Sequence, residues 1–212
     1  MDSVCPGEPI LTELLLENVS VGALSEVSLV VPAGQVVCLS GSSGSGKSRL
    51  LRAVADLEPH GGRISLGDTA QLDVPAHQWR RRVVMVPAES QWWFDEVGPH
   101  FPGMTAEQLP PALAFPPEVM VWSVSRLSSG ERQRLALWRA LAMQPEALLL
   151  DEPTANLDGN TTEVIEDWLL EEIRRREIAT LWVAHDRAQI HRVADAHYRI
   201  QGTGLETVHG SD

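Results

Sequence analysis

The sequence predicts an α/β protein: a mainly parallel β-sheet covered by helices on both faces. Three observations carry this. Short apolar runs alternate with segments of helical period along most of the chain. Several of those runs (35–40, 83–86, 147–150 and 178–184) are apolar almost throughout, as strands buried on both faces are. The 212 residues also suffice to bury a core without disulfides or metal, as one large domain or two small ones.

In chain order, residues 12–21 and 24–31 predict two strands, the second with apolar–polar alternation, forming an antiparallel N-terminal element. Pro32-Ala33-Gly34 turns the chain into a short apolar strand at 35–40. The Gly/Ser loop 41–46 then opens a helix over 47–57. Gly61-Gly62 and Gly67-Asp68 bracket a strand at 63–66, and Pro87 bounds a buried strand at 83–86. Six of the 14 prolines fall between 98 and 117, which limits that stretch to short helices. Helical spacing resumes at 131–143. A buried strand at 147–150, an amphipathic helix at 160–176, a strand at 178–184, a helix at 187–194 and a strand at 197–200 complete the series.

Charge and composition exclude several functions. Seventeen basic against 29 acidic residues give a net charge of −12, so the surface repels phosphate backbones and anionic lipid. No nucleic-acid partner is expected. Cys5 and Cys38 make no disulfide framework and suit a reducing cytosol. The first ten residues lack a basic residue and an apolar stretch, so no signal peptide is expected. No apolar stretch approaches the ~18 residues of a membrane span. The expectation is a soluble protein whose membrane role, if any, comes through a partner.

Sixteen of the 17 basic residues are arginine, and Lys47 is the single lysine. A compact ammonium and a planar guanidinium are different tools, so Lys47 is expected where only the ammonium works. It lies in Gly41-Ser42-Ser43-Gly44-Ser45-Gly46-Lys47-Ser48, which matches G-x-x-x-x-G-K-[ST] between a predicted strand and a predicted helix. Glycines let backbone N–H groups turn inward around a phosphate chain, and the helix N-terminus adds positive potential. Lys47 is expected at the β/γ-phosphates and Ser48 on Mg²⁺, with Arg49 next in the cradle.

Ala147-Leu148-Leu149-Leu150-Asp151-Glu152 is a buried strand ending in two carboxylates. Asp151 suits a hard oxygen ligand to Mg²⁺, and Glu152 falls where a water attacking the γ-phosphate could be polarised. The plainer reading is a strand ending in a solvated acidic turn. Together the two motifs predict a phosphate-loop NTPase.

Leu127-Ser128-Ser129-Gly130-Glu131 resembles the LSGGQ-type signature of ABC ATPases, with Ser129 for the first glycine and Glu131 for the glutamine. The same residues also form an N-cap pattern. Ala155-Asn156-Leu157-Asp158 resembles the family's D-loop, and His185, ending a predicted strand, resembles its switch histidine. The resemblance runs from Leu14 to Ile200. It implies a P-loop NTPase core of ABC type with a shortened helical subdomain: a single domain over 1–212, with 1–87 and 147–212 as nucleotide-binding core and 88–146 as subdomain. It further implies that Ser128, Ser129, Gly130 and Asp158 face the nucleotide of a second copy, and that Glu152 and His185 are catalytic.

Three departures stand out. Val21 occupies the place of the family's base-stacking aromatic and offers no π-face. Ala88 replaces the glutamine that touches Mg²⁺; Glu89 is the nearest oxygen donor, or else faces solvent while water completes the coordination. The stretch from Ala88 to Leu127 is short and proline-rich, and Trp92-Trp93-Phe94 at its start is either a docking patch or replacement core.

The implied function is the ATP-hydrolysing subunit of an ABC transporter, working with ATP, Mg²⁺, a second copy of itself and a separately encoded membrane permease. Its place would be the cytoplasm, at the inner membrane through that permease. The narrower likeness is to small ATP-binding subunits of bacterial two-component systems assigned to metal or iron export. A soluble ABC ATPase with a regulatory or assembly role is the second reading. A P-loop kinase is the third, disfavoured by Glu152, His185 and the signature segment.

Overall fold

The computed structural model describes residues 12–208. Cys5 and the expectation about the N-terminal segment lie outside them. Two sheets organise the chain. β1 (Leu14–Val21), β2 (Leu24–Val31), β4 (Gly61–Leu66) and β5 (Thr69–Ala70) form an antiparallel sheet in the order β2-β1-β4-β5. The second runs β10-β9-β3-β8-β7-β6, built from β3 (Val36–Ser40), β6 (Val83–Val86), β7 (Ala147–Asp151), β8 (Ala179–Val183), β9 (Ala196–Gln201) and β10 (Gly204–Thr207). All its pairings are parallel except β9–β10.

β3, β7 and β8 are buried at every position, which is why their sequences carry no alternation. β2 has one wet face and alternates. One core cluster joins the antiparallel sheet, α1 (Lys47–Val54) and one face of the parallel sheet. The other joins the opposite face to α3 (Ser129–Ala142), α4 (Gly159–Arg175) and α5 (Arg187–Val193).

Differences from the sequence expectation have local causes. α1 stops at Val54 rather than 57 because Asp56 adopts a left-handed φ of 58°. Leu57 N–H then donates to Arg52 O at 2.7 Å and Asp56 N–H to Ala53 O at 3.0 Å, which closes the helix end. α2 (Ala76–Arg82) carries no helical period in its sequence because it buries a single apolar residue, Trp79, whose Nε1 donates to Val54 O at 2.8 Å. β5 is too short, and β10 too polar, to register as a strand from pattern.

Between β6 and α3 the described residues hold short 3-10 turns and one isolated antiparallel bridge, Glu96 to Ser123, the prolines standing at several of the turns' starts. This lobe is organised around one buried histidine. His100 Nε2 accepts the N–H groups of Trp93 (3.0 Å) and Phe94 (3.1 Å), so its proton is on Nδ1, facing the carbonyls of Glu96 (3.0 Å) and Val97 (3.2 Å). Trp92, Trp93 and Phe94 pack edgewise around its ring. Phe101 stacks on Trp138 of α3 with centroids 4.4 Å apart. The aromatic triplet therefore divides. Trp92 packs on the core, whereas Trp93 and Phe94 are 64% and 48% exposed.

Burial lowers the pKa of His100 below the ordinary histidine value, with Arg139 acting in the same direction. The folded lobe thus favours the neutral ring. Its contribution to stability is present above about pH 6.5 and is lost as pH falls through the lower folded value. His100→Phe strands two backbone donors and is expected to destabilise the protein by about 2 kcal/mol at pH 7.5. The gap from wild type narrows at pH 5.5; urea unfolding at the two pH values measures both.

Candidate functional site

The parallel register converges three strand ends. Leu39 of β3 lies opposite Val183 of β8, and Asp151 of β7 lies opposite Val183 on the other side. The residues that follow each strand, from Gly41, from Glu152 and from Ala184, therefore emerge beside one another. In open α/β sheets this carboxyl edge is where ligands bind.

Ser43, Gly44, Gly46, Lys47, Ser48, Arg49, Glu152 and His185 line a cleft of about 210 Å³ at this edge. Gly46 precedes α1 with φ 105°, and a Cβ there would press within 3.2 Å of Leu24. Glycine thus lets the loop close on the β1–β2 turn. Among the described residues, no backbone acceptor takes the N–H of Gly44, Gly46 or Lys47, and the buried Ser45 hydroxyl is likewise without a partner. Those unmet donors suit an anion. Lys47 is only 6% exposed and donates to the carbonyls of Gly41 and Ser42, both at 2.9 Å. Burial lowers its pKa, while Glu152 and Asp151 act to keep it charged.

Asp151 is buried at the end of β7, and burial raises its pKa; the hydrogen bond from the Ser48 side chain opposes the shift. Hydroxyl and carboxylate thus meet at the mouth of the loop. Glu152, next in the chain, has a left-handed φ of 50° and is anchored by its N–H to Val183 O at 3.1 Å. That turn aims its carboxylate at His185, whose Nε2 lies 2.8 Å from Glu152 Oε1. A non-glycine residue in this conformation stores strain that the surrounding fold must hold.

The support behind this edge was not legible as a motif. Glu166 of α4 is buried and takes Arg192 Nε at 2.9 Å and Gln189 Nε2 at 2.7 Å. Gln189 also reaches Thr154 Oγ1 at 2.6 Å. This network ties α4 and α5 to the segment carrying Glu152. The one available signal was a carboxylate on the apolar stripe of helix 160–176.

Other expected residues fall elsewhere. Ser128 caps α3: its Oγ accepts Glu131 N–H at 3.2 Å, and Ser128 N–H donates to Glu131 Oε2 at 2.8 Å. That hydrogen bond lowers the Glu131 pKa. A Cβ on Gly130 would stand 2.9 Å from Asn156 O, so this glycine lets the segment pack on the 155–158 loop. Asp158 caps α4, accepting Thr161 N–H at 3.0 Å. Ser128, Ser129 and Asp158 are exposed, and none of them lines the cleft of their own chain. Glu89 is exposed, and its backbone carbonyl accepts Gln91 Nε2 at 3.4 Å. Val21 is 4% exposed within the core and turns no face to the cleft.

The family described as "ABC transporter" matches residues 24–155. The chain is 39% identical over 186 residues to the Fe(3+) ions import ATP-binding protein FbpC of Streptomyces coelicolor, covering 81% of this chain and 53% of that protein. It is 35% identical over 193 residues to the sulfate/thiosulfate import ATP-binding protein CysA of Synechocystis, covering 82% and 52%. With the phosphonates import ATP-binding protein PhnC of Chromohalobacter salexigens it shares 33% over 232 residues, covering 90% and 84%. The chain thus spans about half the length of the first two relatives. Among solved structures, a bacterial Atm1-family ABC exporter with ATP bound superposes with TM-score 0.79 at 26% identity, covering 92% of this chain and 38% of that one.

Proposed function

The chain belongs to the ABC transporter ATPase family, and from that premise we propose that it is the ATP-hydrolysing subunit of a transporter whose membrane permease is a separate chain. The observation that carries the reading is the Glu152–His185 contact in one cleft with Lys47 and Ser48.

In this reading the loop N–H groups and the Ser45 hydroxyl take phosphate oxygens. Lys47 exchanges its two carbonyl partners for the β- and γ-phosphates. Glu152 orients a water and accepts its proton, while His185 holds the carboxylate in place and faces the γ-phosphate. Ser48 and Asp151 are hard oxygen donors placed side by side, a set that fits Mg²⁺. The rest of the ion's shell would come from phosphate oxygens and water. When bound, Mg²⁺ neutralises developing phosphate charge. Glu89 is left to solvent.

Ser128, Ser129, Gly130 and Asp158 are assigned to the γ-phosphate held by a second copy, giving a two-fold pair around two nucleotides. The exposure of Ser128, Ser129 and Asp158 outside their own cleft supports that assignment. Mg·ATP is then expected to convert monomer into dimer by mass action. Ser128→Arg places a bulky side chain at the shared phosphate and abolishes the dimer while ATP still binds. Light scattering with parallel nucleotide titration tests this; a mass that stays monomeric at saturating Mg·ATP counts against the pair.

A groove of about 260 Å³ between β6 and α3, edged by Leu57, Trp93 and Met143, supports a permease partner. Those three side chains are half-exposed or more, and an apolar strip of this kind suits a docked helix. No described helix is long and apolar enough to cross a membrane; in this reading the permease supplies the spanning part. We place the subunit on the cytoplasmic side. The relatives named above carry import in their names and the solved structure is an exporter, so the proposal carries no direction of transport.

A further inference from the structure

We propose that Arg49 is the nucleobase platform of this site: its planar guanidinium, laid against Gly22 and held at its edge by Glu58, stacks on the base of the bound nucleotide. The inference rests on the nucleotide reading above and adds the residue that takes the base.

Lys47, Ser48 and Arg49 open α1 and fan around it at about 100° per residue. Lys47 turns inward onto the loop carbonyls and Ser48 meets Asp151. The terminal-phosphate end is therefore the side of Asp151, Glu152 and His185. Arg49 is directed elsewhere, towards the β1–β2 turn, while still lining the cleft.

At that turn Gly22 has φ +60° and no side chain. A Cβ on it would lie 2.3 Å from Nη1 and 2.6 Å from Cζ of Arg49. The guanidinium occupies space that only glycine leaves open. Its Nε reaches Glu58 Oε1 at 2.6 Å and Nη2 reaches the same oxygen at 2.5 Å. Glu58 is largely buried, whereas the Arg49 side chain is 55% exposed. The Nε–Nη2 edge is thus committed to Glu58, while more than half of the side chain stays exposed. A guanidinium so held stacks on π rings as an ammonium cannot.

Among the described residues lining the cleft the one aromatic ring is His185, which is engaged with Glu152 at the terminal-phosphate end. Val21 and Leu24, flanking Gly22 and Ala23, are both buried in the core. A stacking face without hydrogen-bond readout tolerates any base, so ATP and GTP should bind within about threefold of each other.

The test is calorimetric titration of wild type, Arg49→Lys and Arg49→Tyr with Mg·ATP, Mg·GTP and inorganic tripolyphosphate. Lysine keeps the charge and can keep the Glu58 pairing, but has no plane. Arg49→Lys is expected to weaken ATP and GTP about five- to tenfold and to leave tripolyphosphate within about twofold. Arg49→Tyr, which restores a flat face, should recover ATP affinity to within about threefold of wild type. Unchanged ATP affinity in Arg49→Lys, or equal losses for ATP and tripolyphosphate, overturns the proposal while the nucleotide reading stands. A wild-type protein that binds none of the three overturns both.

Discussion

Glu152→Gln is expected to lower ATP turnover by two orders of magnitude or more while leaving ATP affinity within about threefold of wild type. The amide keeps the shape and can still accept from His185, which lies 2.8 Å from Oε1. What is lost is the negative charge that polarises the water and takes its proton, a contribution of roughly 10²- to 10⁴-fold. The strained φ of 50° is shared by both residues, so folding stability should barely change. Binding without hydrolysis should also accumulate the ATP-bound dimer, because the step that opens it is slowed. Phosphate release under steady state, with scattering on the same sample, checks both halves. Turnover at the wild-type rate would remove Glu152 from the catalytic role.

Lys47→Arg should be nearly as damaging, by a different route. The ammonium sits almost fully buried between two loop carbonyls 2.9 Å away. A guanidinium is larger, planar and unable to enter that cradle without opening the loop. Conserving the charge is therefore not enough. ATP affinity is expected to fall about a hundredfold, or about 2.8 kcal/mol. The rise in melting temperature that ATP confers on wild type should shrink accordingly. In a chain that otherwise uses arginine for every basic position this is a direct test of why one lysine remains. Equal affinities for the two proteins would show that the cradle reads only charge.

Much of this was legible in advance because it is local. The almost wholly apolar runs at 35–40, 147–150 and 178–184 fall on central strands because a strand buried on both faces has no polar side to alternate with. The phosphate loop was legible because glycine spacing, a lysine and a hydroxyl within eight residues meet one local geometric demand. Asp151 and Glu152 were legible because they end such a strand. α2 was not, since one buried Trp79 makes no period, and neither was the early stop of α1, which depends on a left-handed Asp56.

By itself, then, the sequence determined the order of the main strands and helices (all but α2, β5 and β10), the phosphate loop and the pair of carboxylates, all of which depend on neighbours within a few positions. Only the tertiary structure decided the rest. The parallel register of β3, β8 and β7 brings Glu152 to His185, and two α4–α5 contacts to buried Glu166 support that edge. Packing also turned Val21 into the core and split Trp92 from Trp93 and Phe94 around His100. The same packing laid Arg49 across Gly22. These outcomes depend on which distant surfaces must be buried together, and no window along a single chain contains that information.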